Sequence, residues 1–374
     1  MTRSELEVTL VGPLPGERWV SIERYCHSLR DLSVAGELSF RQVPHPRERY
    51  HSIVAAYAAR YRALPAAMEH IPTGDVVHIA DQALGHLVDV FPRTPTVATC
   101  HDLMPLMLEG HYAGRFEGWM DRILLRRSLE GMTRATRLTA VSQNTADDIT
   151  RLLDVDPLKL SVVPNIVAFR YRPIPRAEEW LASHGVRLPR GPRVLSVGHA
   201  RPYKNLEVLL EAMAHPSLRG AHLIRTGAPL SPDQRNRARR LGIDSRIVEL
   251  GHREPDVLAR LYSACTVLAQ PSRYEGFGLP VIEAMACGLP VVCSDAGALP
   301  EVAGGAAIVV PLAGDHPAAD GAAFAAGLAR VLCEPATAST LRTRGLERAN
   351  AFRPAAVRPL VAAAYQCAIE EHHA

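Results

Sequence analysis

The chain has 374 residues, 47% hydrophobic and 22% charged, the composition of a soluble globular protein with room for about two domains and a sizeable core. A net charge of +3, with the arginines spread along the chain, gives no massed basic face, so nucleic acid is not an expected partner. The seven cysteines, at 26, 100, 265, 287, 293, 333 and 367, form no CxxC pair and read as reduced core residues of a cytosolic protein, without a disulfide framework or a metal site.

The opening MTRSELEVTLVGP lacks the basic, apolar and cleavable order of a secretory signal. No apolar run reaches the roughly 18 residues that span a bilayer. The expected location is the cytoplasm, with contact at the inner face of a membrane left open. Leu6–Val11 reads as a first strand, Gly12 to Gly16 as a loop and Trp19–Leu32 as an amphipathic helix. That is the first β–loop–α unit of a doubly wound domain. The loop has no GxGxxG, which argues against a dinucleotide-binding dehydrogenase.

Arg47–Leu64 reads as a helix that Pro65 ends or kinks. Asp75–Ile79 is a strand leading into Ala80-Asp81, and the strand from Thr96 runs into His101-Asp102. Ligands of open α/β sheets bind at the C-terminal ends of strands, which makes His101 and Asp102 candidate site residues. His78, His86 and His111 are expected to be ordinary structural histidines. Glu117–Thr133 reads as a helix that buries Ile123, Leu124 and Leu125 and solvates its charges. Trp119, Arg122, Arg126 and Arg127 also offer a basic and aromatic patch on it. Leu138–Ser142 is the next strand. Thr145–Leu153 is a helix capped by Ser142 or Asn144, and Leu160–Asn165 closes the half.

Residues 169–192 are rich in Pro, Arg and Gly, with one short helix near Glu178. They read as the connection between domains at 1–168 and 193–340. Arg193–Gly198 starts a new sheet, and Leu206–Ala214 is a helix. Between them stand His199, Arg201 and Lys204. Cations at a strand–loop–helix start can neutralise a diphosphate. Ala221–Gly227 is a strand, Arg235–Leu241 a basic helix and Ile247–Gly251 a strand that ends in Gly251-His252-Arg253. Leu258–Ala264 is a helix and Thr266–Gln270 a strand. After Pro311 the chain is alanine-rich and helical.

The most informative stretch is Pro271–Glu301, PSRYEGFGLPVIEAMACGLPVVCSDAGALPE. Gly276 and Gly278 let the backbone approach a ligand closely. Pro280 suits the start of a helix near Leu279, and Gly288 and Pro290 stop it. Free N–H groups at that start, at Gly278 and Leu279, attract an anion. Glu275 in the loop and Glu283, expected on the first helical turn, lie eight residues apart and can grip two parts of one ligand. An anion flanked by two carboxylates suits a phosphate joined to hydroxyl-rich groups, as in a nucleotide-sugar. The same residues also suit an ordinary strand–loop–helix unit with solvated glutamates.

Over nearly its whole length, most closely from Val194 to Pro311, the sequence resembles the retaining GT-B glycosyltransferases of glycosyltransferase family 4. Glu275…Glu283 stands as their E-x7-E signature, His101-Asp102-Leu103-Met104-Pro105-Leu106 as their HDLxPL phrase and Tyr203-Lys204-Asn205 as their RKN phrase. The resemblance implies an α/β protein of two Rossmann-like doubly wound domains facing a central cleft, with the C-terminal helix 341–374 packing back on the first. It implies transfer of a sugar from a nucleoside-diphosphate sugar, UDP- or GDP-sugar foremost, to a hydroxyl of a glycan, lipid-linked or small-molecule acceptor. Configuration would be retained, with no cofactor and no obligatory metal.

The same resemblance implies catalytic roles for His101, Glu275 and Lys204. His101 would meet the donor sugar and Glu275 hold it, while Lys204, with Arg201 or His199, would meet the diphosphate. Glu283 would bind the ribose, with Gly251 and His252 beside the base. Gly16, Asp102, Phe277, Gly278 and Leu279 would complete the donor site. The chain departs from the family pattern in two places, with His199 where an arginine often follows the glycine and Asn165-Ile166 where Asn-Gly is usual. Two other readings stay open: a nucleotide-sugar epimerase on the same scaffold, and a non-catalytic nucleotide-sugar-binding protein. Nothing in the sequence sets an oligomeric state.

Overall fold

Strands covered by helices on both faces must be apolar on both, and all residues of Val76–Ile79, Thr96–Cys100, Val267–Gln270 and Val291–Ser294 are buried. They belong to two parallel sheets in a computed structural model that describes residues 5–13, 20–34, 37–43, 57–107, 119–314 and 316–374. The chain divides into two units.

The first unit takes the described residues up to Leu103, those from 119 to Ile166, and Pro354–Ala374. Its strands are β1 (Leu6–Val11), β2 (Leu38–Gln42), β3 (Val76–Ile79), β4 (Thr96–Cys100), β5 (Arg137–Ala140) and β6 (Leu160–Val162). They pair in the order β2-β1-β3-β4-β5-β6, all parallel. Successive strand residues point to opposite faces. Accordingly, Val8 and Leu10 join one apolar cluster with Leu29, Val357 and Tyr365, while Val11 joins another with Leu84, Leu129 and Ile149. Each fully buried Leu or Ile in these clusters contributes about 1.5–3 kcal/mol.

The second unit takes 104–107 and 167–353 of the described residues. Its strands are β7 (Arg193–Gly198), β8 (His222–Gly227), β9 (Ile247–Glu249), β10 (Val267–Gln270), β11 (Val291–Ser294) and β12 (Ile308–Val310). The order is β12-β11-β10-β7-β8-β9, again parallel. Val194, Leu209, Leu223, Val292 and Phe324 lie in its core.

Several local expectations change. Pro65 does not end its helix: a π-turn over Ala59–Ala63 leads into the α-helix Leu64–Met68, with Pro65 in the first turn. The wide turn, closed by Leu64 N–H on Ala59 O, accommodates the ring where its missing N–H is not needed. Residues 47–56 of that expected helix lie outside the described residues. On the helix Trp119–Thr133 the buried stripe is Leu125, Leu129 and Met132, and Ile123 is 52% exposed rather than buried.

Residues 169–192 are not a free connection but part of the second unit, where Arg193 grips Glu178 through two bonds of 2.7 and 2.6 Å. The return to the first unit begins at Pro354 rather than at 341. The helix Pro335–Asn350 stays with the second unit, placing Leu341 in its core and Gly345 against Met285. Cys26, Cys100, Cys287 and Cys293 are buried, but Cys333 is exposed. No helix among the described residues is long and apolar enough to cross a membrane.

Candidate functional site

In the second sheet the strand order reverses between β7 and β10. Loops leaving two adjacent strands on opposite sides of such a reversal open a crevice at their C-terminal ends. The loop after β7 brings Lys204 and the loop after β10 brings Ser272 and Glu275. Lys204 Nζ lies 2.6 Å from Glu275 Oε1, with the side chains only 13% and 11% exposed. The same oxygen accepts from Gln270 Nε2 and from Ser272 Oγ, each at 2.6 Å. Oε2 takes none of these bonds.

Local backbone geometry holds this turn. Gly278 (φ +98°) precedes the helix Leu279–Ala286, which has proline in its first turn. A Cβ at Gly278 would lie 2.8 Å from Leu299 Cδ2. Gly297 (φ +56°) passes so close that a Cβ would lie 2.5 Å from Glu275 O. That approach lets Ala298 N–H donate to Glu275 O at 2.9 Å. Only glycine meets both demands. Ser294 Oγ also bonds Ser272 O.

Positive charge gathers beside the pair. Partial desolvation, then Arg201, Lys204, His252 and Arg225, hold the His199 imidazole below its ordinary pKa. The surrounding cations and the partial burial both disfavour a protonated His199. Asn205 follows Lys204 in the left-handed region (φ 54°), fully buried, with both amide atoms lacking partners among the described residues. The Gly251 carbonyl accepts from Gly227 N–H and Thr226 Oγ1, both at 2.9 Å, while His252 is exposed.

Two expected donor residues are placed differently. Glu283 stands on the second helical turn, not the first, because the helix begins at Leu279. It is 1% exposed, with Oε2 accepting from Tyr262 Oη at 2.9 Å. The Phe277 ring is 5% exposed and packs edge-on against Phe352, centroids 5.6 Å apart.

In the first sheet the order reverses between β1 and β3. His101, just after β4, sets its Nε2 2.8 Å from Ala80 O, and its backbone N–H donates to Gln82 Oε1 at 3.1 Å. A carbonyl only accepts, so Nε2 carries the proton. Burial lowers the His101 pKa, against opposite pulls from the Ala80 carbonyl and Asp81, which leaves Nδ1 as the acceptor. The Ala80 carbonyl thus fixes the ring, and the Asp102 carbonyl accepts from Gln82 Nε2 at 3.1 Å. Asp81, 1% exposed, caps Ala83 N–H at 2.8 Å.

His78 and His86 are structural. His78 lies 2.7 Å from both Tyr365 Oη and Thr99 Oγ1. Burial pushes their pKa values down to about 3 and about 4. Gly16 and His111 lie outside the described residues, as does the Trp119 side chain, while Arg122, Arg126 and Arg127 are exposed.

Gln270, Ser272, Gln82 and Arg225 were not expected in either site. For the first two the available signal was position, since both flank Pro271 at the C-terminal end of β10.

Two six-stranded parallel sheets with helices on both faces define a two-domain α/β protein of the GT-B fold. Residues 3–171 match the model of Glycosyltransferase Family 4, and residues 191–334 that of Glycosyl transferases group 1. The chain belongs to this family of glycosyltransferases. It is 30% identical over 230 residues to a serotype-specific mannosyltransferase of Escherichia coli, covering 57% of this chain and 28% of that protein. It is 30% identical over 228 residues to the 2-deoxystreptamine N-acetyl-D-glucosaminyltransferase of Streptomyces fradiae, covering 57% and 53%. The chain thus spans about half or less of these relatives' own length. Among solved structures it is similar to sucrose-phosphate synthase from Thermosynechococcus elongatus, with TM-score 0.72 and 21% identity over 97% of this chain and 98% of that one. That likeness is one of fold. Among the described residues no group of three or more His, Cys, Asp or Glu is arranged to hold a metal ion.

Proposed function

We propose that this chain is a retaining glycosyltransferase. It would carry a sugar from a nucleoside-diphosphate sugar, UDP- or GDP-sugar foremost, to a hydroxyl of a glycan, lipid-linked or small-molecule acceptor. The observation that carries this reading is the Lys204–Glu275 pair at the β7/β10 reversal, 2.6 Å apart and mostly buried. A buried ion pair is a poor device for stability, because desolvation offsets the attraction. At a strand-order reversal, beside Arg201 and His199, it suits a ligand that presents an anion and hydroxyls together. Family membership and the transferases among its relatives support the same reading.

In this reading Lys204 turns from Glu275 to the donor diphosphate and stabilises the charge that builds as it leaves. Arg201, His199 and the N–H groups of Gly278 and Leu279 share that charge, with no obligatory metal. Glu275 accepts hydrogen bonds from the sugar hydroxyls and Glu283 from the ribose. The acceptor hydroxyl attacks the anomeric carbon on the face the diphosphate leaves. The electrons of the breaking C–O bond go to the phosphate oxygen, which takes the acceptor's proton. No side chain serves as nucleophile. His101 is assigned the stabilisation of the oxocarbenium-like sugar on its HDLxPL resemblance. The exposed Arg122, Ile123, Arg126 and Arg127 are the face we assign to peripheral contact with an anionic membrane.

The test is to incubate the full chain with UDP-, GDP-, ADP- and TDP-sugars, with and without acceptors and in EDTA, and read products by NMR. Acceptor-dependent transfer with retained configuration is expected. An inverted product would overturn the retaining mechanism. Isomerised sugar without acceptor would mark an epimerase, and binding without turnover a non-catalytic protein.

A further inference from the structure

Strand β8 carries an arginine inside a sheet whose strands are otherwise mostly apolar. Arg225 is 2% exposed. It donates to Ser196 Oγ on β7 at 3.0 Å, and to the carbonyls of Gly198 and Ala228 at 3.3 and 3.1 Å. Its Nε has no partner among the described residues, and none of the groups it does bond is charged. Glu249 acts on it from nearby, but the Glu249 oxygens are taken by Leu230 N–H at 2.6 Å and Arg235 at 2.8 Å. Burial pushes the Arg225 pKa down to about 10. A buried cation without a bonded counter-ion is expensive, and neutral carbonyls do not offset its desolvation.

What Arg225 touches gives that expense a purpose. Gly198 is the last residue of β7 and opens the loop that carries His199, Arg201 and Lys204. A Cβ on Gly198 would lie 4.0 Å from Lys204 Nζ. Ala228 opens the loop after β8. The guanidinium therefore ties the ends of β7 and β8 together directly behind the cationic loop, and its charge reaches His199. A neutral side chain could serve as a clamp without this charge. Of the charges acting on His199, Arg225 comes after Arg201, Lys204 and His252, and it alone of the four lies inside the sheet.

We propose that Arg225 is a positioning residue of the donor site: it holds the Gly198–Lys204 loop by its first carbonyl and reserves, inside the sheet, a positive charge whose counter-ion is the diphosphate of the bound donor. This rests on the donor reading above.

The experiment compares wild type, Arg225→Met and Arg225→Lys by melting temperature and by calorimetric titration with UDP, GDP, uridine, guanosine and inorganic pyrophosphate. The Met variant without ligand should melt within a few degrees of wild type, because the removed desolvation of the buried ion offsets the three lost hydrogen bonds. Its Kd for the nucleoside diphosphate should rise about 10–100-fold while the matching nucleoside binds unchanged. Arg225→Lys, which keeps the charge and loses the fork, should fall between the two. Unchanged diphosphate affinity in both variants would overturn the inference alone. Equal loss of diphosphate and nucleoside affinity together with a lowered melting temperature would also overturn it, in favour of a purely structural arginine. Failure of folded wild type to bind any of these anions would overturn the donor reading and the inference with it.

Discussion

On β3 and at the C-terminal end of β4 the histidines are neutral. His101 gives its ring proton to the Ala80 carbonyl, His78 sits between two hydroxyls, and burial holds both imidazoles below their ordinary pKa. At the reversal between β7 and β10 the groups are charged, with Lys204 on Glu275 and Arg225 behind them. One topological rule places the polar residues of both sheets at the C-terminal ends of their strands. The loops then decide the chemistry: a neutral site can orient hydroxyls and shape a reacting sugar, whereas a cationic site holds a leaving diphosphate. The larger share of rate should therefore rest on the second unit.

That ranking can be broken. Lys204→Met keeps most of the stem and removes the charge, and should lower turnover about 100–1,000-fold. Its melting temperature should fall as well, because Glu275 is left mostly buried with only the neutral Gln270 and Ser272 as partners, so turnover is compared on folded protein. Turnover within about threefold of wild type would make Lys204 a structural lysine. His101→Ala should cost less, about 10–100-fold in kcat, with nucleoside-diphosphate affinity unchanged. A larger loss there than at Lys204 would reverse the comparison.

The smallest effect is on stability and concerns the first unit. His78 and His86 are neutral when folded, with pKa values lowered from 6.5 to about 3 and about 4, so the unfolded chain binds more protons across that interval. Their contribution is fully present above pH 6.5 and is lost as the pH falls from 6.5 towards about 3. Denaturant unfolding at several pH values should show that slope, and His78→Asn should flatten it. An unchanged slope would show that His78 does not set the acid limit.

Where local chemistry and tertiary structure agree, the sequence was readable. Leu6–Val11, Arg193–Gly198 and Leu206–Ala214 are read with the bounds they have. The Gly278–Leu279 helix start follows from residue type alone, and of the two expected caps, Ser142 and Asn144, the structure takes Ser142. The strand β2 and the 3-10 helix Gln82–Val90 were not readable. β2 has only a brief Leu38–Phe40 alternation, and the 3-10 helix owes its form to Asp81 capping Ala83.

In the site, the residue types of Lys204 and Glu275 were legible, but their bond to each other was not, since it joins loops 71 positions apart. Arg225 was passed over because a charged residue in a strand normally marks an exposed face. Only the three-dimensional position shows it buried, bonded to the Gly198 carbonyl that opens the Lys204 loop. Ile123 misled for the opposite reason: an apolar run on a helix contains more residues than its buried stripe can hold.

The most direct measurement is calorimetric titration of folded wild type and Lys204→Met with UDP- and GDP-sugars. Tight binding of one donor by wild type, weakened at least tenfold in the variant, is expected if the β7/β10 crevice is the diphosphate site, since the lost charge–charge contact is worth about 1.4 kcal/mol or more. Equal affinity in both proteins, or no binding by wild type, would contradict it.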